Sequence, residues 1–223
     1  MADKNIMNGR TLTVKGVGHV KAKPDLAIIS IVISTRMKDY ARANEVALQK
    51  LDALRKAILS AGHEKQTLKI TDFKVNTVEN RYQDKNGNWQ SKFEGYSCKH
   101  FLKLEFDFDM SLLGETLSKI SLSESEPKLD ISFSIKDKNA VQSELLANAI
   151  ANATEKAKVL TKASGVTLSD IQSINYSWGE IYLSSSTMLN DYVYGFMSDS
   201  TLDDLEPKDV EANDTVTVVW EII

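Results

Sequence analysis

Across residues 95–109 the chain alternates strictly. Tyr96, Cys98, His100, Leu102, Leu104, Phe106 and Phe108 hold one set of positions. Ser97, Lys99, Lys103, Glu105, Asp107 and Asp109 hold the other, and Phe101 is the only apolar intruder. A helix turning every ~3.6 residues would scatter both sets around its axis, whereas a period of two sends them to opposite faces of a strand. One face is apolar and one is charged, so this strand belongs to a sheet with one covered side and one wet side. The fold must therefore supply a partner strand and a layer to cover the apolar face.

Both are legible nearby. Residues 68–79 read as the antiparallel partner, with a connection containing Asp84-Lys85-Asn86-Gly87-Asn88, where Asn-Gly suits a tight turn. Residues 11–20 and 26–34 read as strands separated by Pro24-Asp25. The second of them, LAIISIVIS, is apolar at both parities and predicts cover on both faces. A helix is expected over 39–61, where Ala41, Leu48, Leu51, Leu54 and Ile58 form one stripe, and Gly62 ends it. A short helix follows over 111–122, then a strand over 129–135. A long helix over 139–164 carries Ala147, Ala149, Ala151, Ala153, Ala157 and Ala163, and Gly165 closes it. Strands over 171–183 and 214–223 flank a loop, residues 184–212, that is long for a compact domain.

These elements predict an α+β fold: an antiparallel or mixed sheet with the two long helices packed on one side. One domain is expected over 11–223 after a flexible tail over 1–10. The order strand, long helix, terminal glycine, strand, loop, strand occurs around Gly62 and again around Gly165, which suggests an internal duplication.

The formal charge is −4, and basic residues are interleaved with acidic ones, so no basic stripe marks a nucleic-acid partner. One cysteine, Cys98, excludes an internal disulfide. No apolar run reaches the ~18 residues of a membrane span. Residues 1–10 are polar and lack the apolar core of a signal peptide, which reads as a cytoplasmic location; a trimmed leader would leave the same sequence.

Candidate sites are few. Gly16-Val17-Gly18 lacks the third small residue of a dinucleotide fingerprint, since Lys21 stands there, and Pro24 with a strand follows where a helix is needed; close strand packing is the better reading. Cys98 and His100 share a strand face, but a metal site needs three or four ligands, and both sit in an apolar row. Asp84 to Asn88 lacks the glutamate and helices of a calcium loop. Asp199, Asp203, Asp204, Glu206, Asp209 and Glu211 read as a solvated acidic loop. No nucleophile, base and orienting group can be placed together, so no enzymatic activity and no cofactor are expected. Tyr192, Tyr194, Phe196 and Met197 are residue types enriched at interfaces; they fit a protein contact or a loop folded back on its own core, and residue type does not separate the two.

Val14-Lys15-Gly16-Val17-Gly18-His19-Val20 followed by Pro24-Asp25-Leu26-Ala27 resembles the opening signature of the SIMPL-domain family. The likeness continues through the helix containing Asn44, Gly95-Tyr96, the alanine helix ending at Gly165, and Val216, Val218 and Trp220. It covers residues 12–223. The resemblance implies a mostly bacterial, often exported protein without generally accepted enzymatic activity, linked in some members to oxidative-stress defence. It also implies homo-oligomeric, ring-like assembly, or, from a kinase-associated animal branch, a protein-binding adaptor.

Overall fold

The structure, a computed structural model, describes residues 9–176, 181–187 and 206–223. Its strands are β1 (Thr11–Ala22), β2 (Leu26–Met37), β3 (Leu68–Gln83), β4 (Trp89–Asp107), β5 (Lys128–Ser134), β6 (Leu168–Tyr176) and β7 (Val210–Ile222). Its helices are α1 (Tyr40–Ser60), α2 (Met110–Ser121) and α3 (Lys138–Ser164). Each helix begins at an aspartate: Asp39, Asp109 and Asp137 accept hydrogen bonds from the backbone N–H groups of Arg42, Leu112 and Ala140 at 2.9, 3.0 and 2.9 Å. These caps satisfy amides that have no partner inside the helix. Gly62 and Gly165 adopt φ of 94° and 69°, the left-handed backbone that stops each long helix where the sequence predicts.

The class is α+β as expected, with every strand pair antiparallel, but the strands divide into two sheets ordered β3-β4-β2-β5 and β1-β7-β6. The chain correspondingly forms two compact units. Each long helix covers a sheet of its own: α1 lies on β2 and β4, and α3 on β1 and β7.

In the first unit, β2 to β5 with α1 and α2, the core lies between the sheet and its helices. Ala27, Ile29, Ile31 and Ile33 of β2 are at most 1% exposed and meet Leu54 and Ile58 of α1 and Leu113 and Leu117 of α2. The expectation of cover on both faces of β2 is corrected here. Ile28 and Val32, on the face away from the helices, are only partly buried, and Ser34 is exposed. Among the described residues their shielding comes from cross-strand neighbours, Glu105 beside Ile28 and Phe101 beside Val32, rather than from a second layer.

In the second unit, α3 presents Val141, Leu145, Ala149, Ala153, Ala157 and Thr161, a strict four-residue step, to the sheet. Val14, Val216, Val218 and Trp220 complete that core.

The duplication is real at the level of topology. Strand β2, helix α1 and hairpin β3-β4 give the order β3-β4-β2; strand β1, helix α3 and hairpin β6-β7 give β6-β7-β1. The strand that plays β2's part in the second unit is thus β1, from the start of the chain. Strand β5, which directly precedes α3, instead pairs with β2 and extends the other sheet.

Candidate interaction surface

The Gly16-Val17-Gly18 motif sits where α3 crosses β1. A Cβ on Gly16 would lie 2.0 Å from the carbonyl oxygen of Ala149, and one on Gly18 would lie 2.0 Å from that of Leu145. Glycines on the strand and alanines on the helix thus let two backbones meet with no side chain between them, and no space is left for a nucleotide. This closeness has a second effect. Asn148, Asn152 and Lys156, spaced four apart on α3, reach the outer edge of β1. Asn152 Oδ1 accepts from Val17 N–H at 3.0 Å, Asn148 Nδ2 donates to the His19 carbonyl at 3.2 Å, and Lys156 Nζ donates to the Lys15 carbonyl at 3.2 Å. A strand edge normally offers such groups to another strand; here helix side chains occupy them.

The outer strands of the two hairpins lack this protection. Neither β3 nor β6 has a strand on its outer side among the described residues. Ile70 and Phe73 of β3, and Ile171 and Ile174 of β6, lie on the helix-side face of their sheets, each about half exposed.

Hairpin β3-β4 also runs far past its sheet. Beyond the irregularity between Val78 and Glu79, the pairs Glu79–Phe93, Arg81–Ser91 and Gln83–Trp89 continue as a two-stranded arm. At its root, the bulged Glu94 is ion-paired to Arg36. At its tip, Asp84 Oδ1 accepts from Asn86 N–H and Asn88 N–H, both at 2.9 Å, closing the turn read from the sequence. Those bonds hold the Asp84 carboxyl below its ordinary pKa. The arm carries Trp89 at 70% exposure with Phe93 and Tyr82 about half exposed. Trp89 and Phe93 share one face and Tyr82 takes the other. The aromatic row runs inward along one face, Phe93 edge-on to Tyr96 at 5.3 Å and Tyr96 to Tyr40 at 5.4 Å.

Cys98, His100 and His63 are buried in the first unit, whereas His19 is exposed on β1, where its Nδ1 lies 2.8 Å from Asn213 Oδ1. Cys98 is 1% exposed, and burial pushes its thiol pKa up, away from nucleophilic reactivity. His100, two residues on, is tilted against Phe73 at 4.6 Å, and its Nδ1 is buried without a hydrogen bond. Burial, and then the Arg55 charge, lower its pKa. His63 contacts Thr116 Oγ1 at 2.6 Å. Thr116 gives its only proton to the Leu112 carbonyl at 2.6 Å, so His63 Nε2–H must be the donor to Thr116. The structure does not join these groups into a reactive constellation, and among the described residues no three His, Cys, Asp or Glu side chains are placed to hold a metal. A hollow of about 630 Å³ opens between the end of α2 and the start of β5. Its polar groups are already engaged: Ser121 Oγ and Ser123 Oγ donate to helix carbonyls, and Glu126 pairs with Lys50 at 2.6 Å.

Tyr192, Tyr194, Phe196 and Met197, the interface residues expected from the sequence, lie outside the described residues, in the β6-β7 connection. Sequence reasoning missed Tyr82, Trp89 and Phe93 because it treated residues 80–94 as a loop. The signal was present: Trp89, Ser91 and Phe93 carry the alternation upstream of Gly95.

No helix among the described residues is long and apolar enough to cross a membrane. The sequence is similar to the 26 kDa periplasmic immunogenic proteins of Brucella melitensis biotype 1 and Brucella abortus strain S19. Each is 27% identical over 168 residues, covering 74% of this chain and 65% of the relative, so the match spans slightly less than two thirds of those proteins. Residues 12–220 match SIMPL, described as a protein of unknown function (DUF541). With nearly its whole length matched, and with the signature glycines and alanines explained by the contact between β1 and α3, the chain belongs to the SIMPL family.

Proposed function

We propose that this protein is a non-enzymatic assembly protein of the cell envelope, working as a homo-oligomer. The observation that carries the reading is the β3-β4 arm. A two-stranded ribbon is marginal in water, and this one displays Tyr82, Trp89 and Phe93 with no layer of described residues against it. Aromatics on both faces suit an arm that another molecule embraces. The Brucella relatives are named as periplasmic proteins, which supports a periplasmic setting over a cytoplasmic one. The family resemblance adds a link to stress defence.

The test is absolute mass by light scattering behind a sizing column, across a range of concentrations. The expected result is a discrete multimer that Trp89→Ser with Phe93→Ser dissociates without loss of fold. Tyr194→Asp with Phe196→Asp is expected to act likewise, through the β6-β7 connection. A monomer at every concentration would overturn assembly and favour the second reading, an adaptor for a different protein that uses the same aromatic arm.

A further inference from the structure

Among the described residues, each unit leaves the outer edge of its hairpin, β3 or β6, without a partner strand, and the two edges complement each other. We propose that β3 of one copy pairs antiparallel with β6 of the next, joining copies head to tail. The inference rests on the assembly reading and supplies its contact.

Three observations carry it. First, the other edges are less available. Asn148, Asn152 and Lys156 engage outward groups at Lys15, Val17 and His19 in the middle of β1, and β5 is the shortest strand, at 7 residues against 9 for β6 and 16 for β3.

Second, the apolar residues fit. Because α1 lies mainly on β2 and β4, and α3 mainly on β1 and β7, the outer strand of each hairpin is covered at Leu68 or Leu168 but keeps part of its helix-side face exposed. Ile70 and Phe73 occupy it on β3, at 48% and 47% exposure; Ile171 and Ile174 occupy it on β6, at 49% and 51%. Residues three apart would ordinarily point to opposite faces. They share a face here because each strand is irregular between them, at Ile70/Asp72 in β3 and Ile171/Ser173 in β6. An antiparallel match can therefore place Ile70 opposite Ile174 and Phe73 opposite Ile171 at once.

Third, charge selects the partner. In that register Lys74, which is ion-paired to Asp72 of its own strand at 2.8 Å, falls opposite Asp170 and could bridge the two carboxylates, and Lys69 falls opposite the neutral Asn175. Two copies of β3 matched through the same apolar residues would instead place Lys69 opposite Lys74 twice, and like charges directly opposite destabilise a strand pair. A contact between two different edges is heterologous, so every growing assembly keeps one β3 and one β6 edge free until a ring closes.

Two edge-blocked variants test this: Ile70→Lys with Phe73→Lys, and Ile171→Lys with Ile174→Lys. All four side chains are exposed, so circular dichroism and melting should stay close to wild type. The expected result is a wild-type multimer, two variants that each run as a 24.9 kDa monomer, and a species of twice that mass, and no larger, when they are mixed in equal amounts. A charge exchange guards against unfolding at Phe73, which lies on His100: Lys74→Asp should weaken assembly, and adding Asp170→Lys to the same chain should restore it. A β3-blocked variant that still dimerises would show β6-to-β6 pairing and overturn the proposal. Monomeric variants that fail to combine, with no restoration by charge exchange, would overturn it too. A monomeric wild type would instead refute the assembly reading beneath it.

Discussion

Replacing Gly16 by alanine puts the contact between β1 and α3 under the most direct strain available. The added Cβ would stand 2.0 Å from the Ala149 carbonyl oxygen, 2.7 Å from Ala153 Cβ and 2.8 Å from Ala153 N. Two of these atoms are backbone and the third is fixed to it, so no rotamer change relieves the clash. Ordinary contact begins at 3.4 Å, so helix and strand must separate by about 1.4 Å locally. Such overpacking costs typically ~1–3 kcal/mol, and a rigid backbone obstacle belongs at the top of that range. Alanine restricts the unfolded chain and returns only ~0.4–1 kcal/mol. The Asn152 bond to Val17 N–H, 3.0 Å long, would stretch, but Val17 is 43% exposed and water can replace it. The net expectation is a loss of about 2–3 kcal/mol, or roughly 4–12 °C in Tm for a chain of this size. Thermal melts should be accompanied by hydrogen exchange on α3, which reports the affected unit specifically. Val17→Ala, whose side chain points away from the helix, serves as the control. A Gly16→Ala protein melting within a degree or two of wild type would refute the claim that backbone contact sets this interface.

The remaining predictions concern the buried groups and the sealed edge. Burial lowers the pKa of His63 and of His100, with Arg55 contributing at the latter, so the folded state holds both neutral near neutral pH. The unfolded chain takes up protons near pH ~6.5, so their stabilisation is complete above that value and is lost as pH falls through it towards the folded pKa values. The drop in Tm from about pH 7 to about pH 5 should shrink in His100→Phe, and an unchanged slope would count against His100 as a contributor. Cys98, 1% exposed with a raised thiol pKa, should resist alkylation in the native protein and react promptly in denaturant; fast native labelling would contradict its burial. Asn148→Ala with Asn152→Ala should cost little stability, about 1 kcal/mol per lost bond at most, yet open the β1 edge to strand addition. Concentration-dependent extra mass in light scattering is the expected sign, and a mass equal to wild type would show that the two amides do not guard that edge.

The sequence by itself determined most of the elements that depend on local physics. Alternation fixed the face of β4 that carries Cys98, His100 and Leu104, because a period of two has no helical counterpart. Terminal glycines marked the ends of α1 and α3, because a positive backbone angle at Gly62 or Gly165 costs glycine nothing. The stripe expected on α1 holds at Leu51, Leu54 and Ile58, but Ala41 and Leu48 are exposed, and Ala43 and Ala47 are buried in their place. The α+β class followed from those elements. The hairpin turn at Asn86-Gly87 was equally legible, though the arm beside it was passed over when its alternation was taken for loop. Tertiary structure alone decided how strands were shared between sheets, because strand pairing joins residues from distant parts of the chain and leaves no local periodic mark. It took β5 to the side of β2 and brought β1 from the start of the chain to β7. It also decided the meaning of Gly16 and Gly18. Their flanking sequence excluded a nucleotide loop, but only the position of α3 shows that they are places where two backbones touch, and that the same approach seals one strand edge while β3 and β6 stay open.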